Sequence, residues 1–299
     1  VRAVRFSEFG GPDVLVLEEI AEPHAGPGQV RVRVHAAGVN PADWKIREGQ
    51  LGGELPQGVG LEVSGVVDEL GADVSDVVLG DRVFGSTSGG AADHAVLSDY
   101  APIPATLDFV QAAALPVAVE TATRALDLLA VRAGSTLLVN GAGGSVGTVA
   151  TQLAIARGAR VIATTSAANA TRLGGYGAVT TSYGDGLAGR VAELAPGGVD
   201  LALDMAPAGA LPVLVQLTGD PERVLTISDF TNADACGVRT TGPAGTTFRW
   251  DVLPRAAELV GRGELVLPVQ QVFPLQQVAA AQRLSQTGHL SGKLVLLLA

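Results

Sequence analysis

The 299-residue sequence contains a single cysteine, Cys236, so it has no internal disulfide and no metal site built from several thiolates. A lone cysteine of this kind reads as a small buried hydrophobe. Histidine is also sparse: His24, His35, His94 and His289 are scattered, with no spacing that builds a tetrahedral site. The formal net charge is −10, the only lysines are Lys45 and Lys293, and no Lys/Arg run occurs. That charge balance argues against a surface that tracks nucleic-acid phosphates. Long apolar runs are missing as well. The stretch Leu294 to Ala299 is far shorter than the roughly 20 residues that cross a bilayer. The opening Val1-Arg2-Ala3-Val4 has no secretory hydrophobic region, and a cytoplasmic location is the expectation.

Hydrophobic residues make up 47% of the chain and charged residues 17%, a globular balance with material for one large core or two ordinary ones. The first hundred residues read as short strands punctuated by Gly and Pro. Gln29 to His35 alternates with period two, and Gly65 to Gly71 and Gly80 to Gly85 look like further strands with glycine at the bends. This half is β-rich and barrel-like. From Asp108, a plausible N-cap, the pattern changes. Val110 to Val131 reads as helix, with Gly134 ending the region. Apolar strands then alternate with helices: Thr136 to Asn140, helix Val146 to Arg157, Arg160 to Thr164, and units at Ala178 to Thr180, Leu201 to Asp204 and Arg223 to Ile227. Unalternating strands separated by helices indicate an α/β fold with a parallel, doubly wound sheet. The segment Gly292 to Ala299 is a lone strand, expected to return to the first half.

The strongest chemical signal is Val139-Asn140-Gly141-Ala142-Gly143-Gly144-Ser145-Val146-Gly147. It lies between a strand and a helix, the setting of a dinucleotide site. Glycines there let the backbone approach a pyrophosphate, and the helix N-terminus offers free N–H groups. The spacing Gly141, Gly144, Gly147 departs from GxGxxG, and a sharp turn remains the plain alternative. A site for NAD carries an acidic residue about 20 positions past the glycines, bonded to the ribose 2′-OH. Here that region reads Ala163-Thr164-Thr165-Ser166-Ala167-Ala168-Asn169, and the next carboxylate is Asp185. The pocket therefore suits NADPH. Arg172 either pairs with its 2′-phosphate or covers a solvated helix surface.

These pieces together resemble the zinc-independent branch of the medium-chain dehydrogenases/reductases, the branch of the zeta-crystallin-like quinone oxidoreductases and enoyl reductases. The resemblance rests on Phe9 to Leu15, Gly38 to Gly49, Gly60-Leu61-Glu62-Val63-Ser64-Gly65, Gly80 to Gly85, Ala112 to Pro116, Glu120-Thr121-Ala122 and Gly292-Lys293, in that order. It implies a GroES-like catalytic domain over residues 1–112, completed by 252–299, and a Rossmann NADP-binding domain over 113–251. It also implies a homodimer formed through an edge of the Rossmann sheet. Zinc-dependent relatives hold metal with Cys and His. Here Asn40 and Asp43 lie in the first ligand region, and Gly60-Leu61-Glu62 stands where a Gly-His-Glu would supply the histidine, so no catalytic zinc is expected.

By the same resemblance, Asn40 lies near the nicotinamide. Thr121 and Tyr183 contact the cofactor. The backbone of Gly141, Gly144, Ser145, Val146 and Gly147 holds the pyrophosphate, with Ser166 and Arg172 near the 2′-phosphate. The implied reaction is hydride transfer from NADPH to a quinone or α,β-unsaturated carbonyl, without metal. Departures stand out: many quinone reductases have tyrosine where Lys45 stands and lysine in the adenosine pocket where Ala170 falls, and enoyl reductases often have a tyrosine acid a few residues after Gly49, where this chain reads Gln50-Leu51-Gly52-Gly53, with no tyrosine before Tyr100. Lys45 could donate to a developing enolate or hydroquinone oxygen, or be a surface lysine. Asp43 braces the loop or Lys45, or acts as a base; Trp44 is core or a wall for a planar substrate. The segment Asp229 to Trp250 lines a substrate cleft or a dimer contact. Three functions stay open: a quinone or enone reductase, a pathway-specific enoyl reductase, and an NADPH-binding protein or non-redox catalyst on the same fold.

Overall fold

The computed structural model describes residues 1–207, 209–242 and 246–298. The chain divides into two compact units, one formed by Val1–Ala118, Trp250–His289 and the strand from Lys293, the other by Val119–Arg249 with Leu290–Gly292.

The N-terminal elements are β1 (Arg2–Phe6), β2 (Val16–Glu19), β3 (Val30–Val39), α1 (Pro41–Arg47), β4 (Gln57–Gly58), β5 (Glu62–Leu70), β6 (Arg82–Ser86), β7 (His94–Leu97), β8 (Asp99–Pro102) and α2 (Phe109–Ala113). The second unit holds most of α3 (Pro116–Leu128), then β9 (Thr136–Asn140), α4 (Ser145–Ala156), β10 (Arg160–Thr164), α5 (Ala167–Gly175), β11 (Val179–Thr181), α6 (Leu187–Leu194), β12 (Leu201–Asp204), α7 (Leu211–Thr218), β13 (Val224–Thr226), α8 (Phe230–Cys236) and β14 (Arg239–Thr240). The chain then adds α9 (Leu253–Gly261), β15 (Val269–Pro274), α10 (Val278–Gln286) and β16 (Lys293–Leu297) to the first unit.

In the first unit a mixed sheet runs β15-β16-β3-β5-β6-β8, with β7 also paired to β3, and a second sheet runs β2-β1-β4. The lone terminal strand does return there: β16 pairs antiparallel with β3, Leu294 opposite Val39. Of the segment expected as that strand, Ala299 lies outside the described residues. β3 alternates buried and less buried residues through Val30, Val32 and Val34, as its period-two pattern requires, and then becomes buried on both faces from Ala36 to Val39.

In the second unit six strands in the order β11-β10-β9-β12-β13-β14 are all parallel. This is the doubly wound order in which ligands bind at the carboxyl ends of the strands. Leu187 and Val191 of α6 and Leu211 and Leu214 of α7 join Leu138, Ile162, Ala202 and Val224 of the strands in one buried cluster, with Cys236 only partly buried against it.

The helix expected over Val110 to Val131 is two helices. Asp108 caps the first, accepting from the N–H of Gln111 at 2.7 Å, and Pro116 opens the second. Proline has no N–H to continue the helical ladder and disfavours helical dihedrals in the residue before it, so the helix restarts there. The second helix ends at Leu128, ahead of Ala130, whose φ is +53°. Among the described residues, no helix is long and apolar enough to cross a membrane.

Candidate active site and dinucleotide site

In the first unit the functional side chains converge because β3 lies between β5 and β16. Asn40 follows directly on β3. Glu62 opens β5 on one side, and Lys293 opens β16 on the other. All three are buried, at 5%, 0% and 1% exposure. Lys293 Nζ donates to Asn40 Oδ1 at 2.6 Å and pairs with Glu62 Oε1 at 2.5 Å, while Asn40 Nδ2 donates to the same Glu62 oxygen at 2.7 Å. Glu62 Oε2 accepts from the backbone N–H of Val117 at 2.7 Å. Cation on the oxygen and carboxylate on the nitrogen fix which way the Asn40 amide faces, leaving one Nδ2 hydrogen uncommitted. Gly38 makes the arrangement possible, since a Cβ there would sit 2.2 Å from Glu62 Oε1.

Asp43 is also buried. Its carboxylate accepts from the N–H of Asn40 at 2.7 Å and of Gly60 at 2.9 Å, joining the start of α1 to the turn before β5. Burial pushes its pKa up to about 6, against the lowering effect of those two N–H groups. It also lines a cleft with Ile46, Gln57 and Leu61. Lys45 lies on the same helix and is half-buried, with its ammonium 5.7 Å from the centre of the Trp44 ring. The donor set does not suit a zinc ion. Among the described residues no three His, Cys, Asp or Glu side chains come together to hold a metal. The middle of this cluster is occupied by an ammonium group instead.

In the second unit β9 runs into the glycine turn. Gly141 has φ +84°, a conformation that favours glycine, and its N–H donates to Thr164 Oγ1 at 3.1 Å. α4 begins at Ser145 with Gly144 as an N-cap that supplies no side-chain acceptor. Its first N–H groups are therefore available to an anion. A Cβ on Gly144 would meet only Gly141 O at 3.9 Å, so this face is open, whereas one on Gly147 would lie 2.5 Å from Gly141 O. Ser145 Oγ donates to Gly292 O at 3.2 Å.

The turn rests on a buried polar rung across four neighbouring strands. Thr164, Asn140, Asp204 and Thr226 end β10, β9, β12 and β13 in matching register. Thr164 Oγ1 donates to Asn140 Oδ1 (2.6 Å), Asn140 Nδ2 to Asp204 Oδ1 (2.8 Å) and Thr226 Oγ1 to Asp204 Oδ2 (2.8 Å). Burial raises the Asp204 pKa, opposed by the two side-chain donors.

The end of β10 carries no acid. Thr165 is buried with its hydroxyl unpartnered, and Ser166 Oγ accepts only a long bond from Asn169 at 3.3 Å. Arg172 turns toward the glycine turn, donating to Gly143 O (3.1 Å), Thr148 Oγ1 (3.0 Å) and Asn169 Oδ1 (2.9 Å). Gly141, Gly144, Ser145, Val146, Gly147, Ser166 and Arg172 are thus grouped at one end of the parallel sheet. Thr121 lies on α3, its hydroxyl 3.3 Å from Glu120, and Tyr183 is 54% exposed in the loop after β11.

Sequence reasoning passed over Glu62, Lys293, Asp204 and Thr226 as functional side chains. Signals existed: a lysine opening an otherwise apolar strand, and four core strands each ending in Thr, Asn or Asp.

A GroES-like unit and a six-stranded, parallel nucleotide-binding unit in one chain define a class, and this chain has its fold, that of the medium-chain dehydrogenases/reductases. The model of the alcohol dehydrogenase GroES-like domain matches residues 26–104, and that of zinc-binding dehydrogenases residues 185–296. Within the family the likeness is to quinone oxidoreductases. The quinone oxidoreductase of Rattus norvegicus is 44% identical over 172 residues, which are 55% of this chain and 52% of that protein. The chain thus spans about half the length of the curated relatives it matches. The quinone oxidoreductase structure from Coxiella burnetii superposes with a TM-score of 0.83 at 29% identity, covering 100% of this chain and 99% of that one. A mycobacterial structure solved with NADPH does so with a TM-score of 0.84 at 27% identity, covering 100% of both chains.

Proposed function

We propose that this protein is an NADPH-dependent reductase of quinones or α,β-unsaturated carbonyls that works without a metal. The observation carrying the cofactor choice is the end of β10, where Thr164, Thr165 and Ser166 stand in place of an acid that would hold a ribose 2′-OH and repel a 2′-phosphate. The open face at Gly144 and the uncapped start of α4 fit a pyrophosphate. When bound, NADPH supplies the hydride, so the chain's task is to bind, orient and exclude water.

In this reading the backbone from Gly141 to Gly147 binds the pyrophosphate, and Ser166 and the unpartnered Thr165 hydroxyl receive the 2′-phosphate end. Thr121 and Tyr183 are kept as further cofactor contacts. Asn40 presents its one free Nδ2 hydrogen to the reacting end, held in that orientation by Lys293 and Glu62. Asp43 holds the loop that carries Asn40. Lys45 is the candidate proton donor to the enolate or hydroquinone oxygen. The alternative donor, a tyrosine, finds little support: Tyr100 donates to Asp76 at 2.9 Å, with its pKa pushed up to about 12 mainly by burial. A cytoplasmic homodimer is part of the same proposal.

The test is NADPH oxidation scanned over a panel of quinones and enones, with NADH in parallel. Turnover on the panel with a clear preference for NADPH supports the reading. Equal kcat/KM for NADPH and NADH would remove the cofactor choice. Tight NADPH binding with no turnover would favour a binding protein or non-redox catalyst. Lys45→Ala should lower kcat and leave NADPH affinity intact; unchanged turnover would take Lys45 out of the mechanism.

A further inference from the structure

We infer that Arg172 is a positioning residue for the pyrophosphate-binding turn, and so serves NADPH and NADH alike, rather than a 2′-phosphate ligand that selects between them. This rests on the dinucleotide-binding reading given above.

Three hydrogen bonds carry it. From α5, Arg172 reaches the carbonyl of Gly143 inside the glycine turn, the hydroxyl of Thr148 in the first turns of α4, and the Asn169 amide oxygen on its own helix. Thr148 is fully buried and passes the connection on, its hydroxyl donating to Ala142 O at 3.3 Å. One guanidinium thus ties the glycine turn, the helix start that follows it and α5 together. A planar five-donor group does this where a lysine could not, because the bonds leave from two different nitrogens at fixed angles.

Electrostatics gives the second argument. The partners of Arg172 are a carbonyl, a hydroxyl and an amide oxygen, with no carboxylate among them. Arg172 is half-buried, and a charge withdrawn from water without a counter-ion is unfavourable. A pyrophosphate on the open face of the turn would supply that counter-charge, adding to the dipole of α4. Both arms of NADPH discrimination are left to the acid-free end of β10.

The experiment compares wild type, Arg172→Leu and Arg172→Lys for the Kd of NADPH and of NADH, read by nicotinamide fluorescence, with thermal unfolding alongside. Arg172→Leu should weaken both cofactors by the same factor, about tenfold for a lost charge-assisted set, leaving the NADPH:NADH ratio unchanged. Arg172→Lys, which keeps the charge but cannot make the three bonds, should fall between. Loss confined to NADPH would overturn the inference and return Arg172 to the 2′-phosphate. Unaltered Kd values with a lowered Tm would also overturn it, leaving only a stabilising role. If wild type binds neither cofactor, the dinucleotide reading fails and this inference with it.

Discussion

Lys293 Nζ and Glu62 Oε1 lie 2.5 Å apart in the interior of the first unit, on residues 1% and 0% exposed, and the same lysine holds the oxygen of Asn40. A chain that is otherwise almost free of lysine spends one of its two on a position without solvent. The pair gives Asn40 a single amide orientation, so its energetic role and its role at the site are separable.

Removing only the cation leaves Glu62 charged and buried. Lys293→Met should therefore destabilise the protein by about 3–5 kcal/mol, and the double variant Lys293→Met/Glu62→Gln should recover most of that loss. Urea unfolding of the three proteins checks it. If the double variant is stable yet turns over substrate poorly, orientation of Asn40 is what the pair contributes beyond stability. Full activity in the double variant would make the pair structural only.

Asp43 supplies a pH signature. Burial holds its pKa in the folded protein at about 6, above the ordinary value of 3.8. The folded state therefore binds the proton more tightly than the unfolded chain does. The contribution to stability is fully present below pH 3.8 and is lost as pH rises through about 6. Comparing wild type with Asp43→Asn cancels the titration of other groups. The stability difference, wild type minus variant, should fall as pH rises between about 4 and 7, by roughly 3 kcal/mol for a shift near two units. A difference that is flat over that range would show that Asp43 titrates normally.

The polar rung under the glycine turn makes a further prediction. Asp204 accepts from Asn140 and Thr226, and Thr164, two links away, holds the N–H of Gly141. Asp204→Asn faces one of those donors with an amide nitrogen. It should cost about 1–3 kcal/mol for an unsatisfied buried group and weaken dinucleotide binding. Thr226→Val removes a donor at the far end of the rung and should lower stability with a smaller effect on affinity. Calorimetric unfolding and nucleotide titration of both variants distinguish the two; equal effects on affinity would mean that the rung does not transmit to the turn.

How much of this was legible depends on how far apart in sequence the partners lie. The glycine turn was readable because strand, glycines and helix are contiguous, and the alternating β-rich and doubly wound halves were readable from periodicity. The break before Pro116 was visible in principle, but a strong Ala/Leu pattern on either side of it hid the boundary. Lys293 and Glu62 could not be paired with Asn40 from spacing: they meet because β16 and β5 both pair with β3, a property of sheet order. The direction taken by Arg172 depends likewise on where the glycine turn sits beside α5. The sequence left Arg172 between a 2′-phosphate ligand and a solvated helix surface, and named none of the groups its guanidinium touches.

Two glycines of the turn should respond differently to a single methyl group. At Gly147 a Cβ would lie 2.5 Å from Gly141 O and 2.7 Å from Ala142 Cα, both backbone atoms, so the turn must shift. At Gly144 the backbone is extended, with φ −74° and ψ 178°, and a Cβ meets nothing closer than Gly141 O at 3.9 Å. Gly147→Ala should therefore lower both Tm and NADPH affinity. Gly144→Ala should leave the unfolding free energy within about 0.5 kcal/mol of wild type, as a substitution that strains nothing does. Its methyl group would nonetheless occupy the open face at the start of α4, where a pyrophosphate must approach closely. Weakened NADPH binding at unchanged stability is the expected outcome for Gly144→Ala. Undiminished binding would mean that the anion does not use this face of the turn.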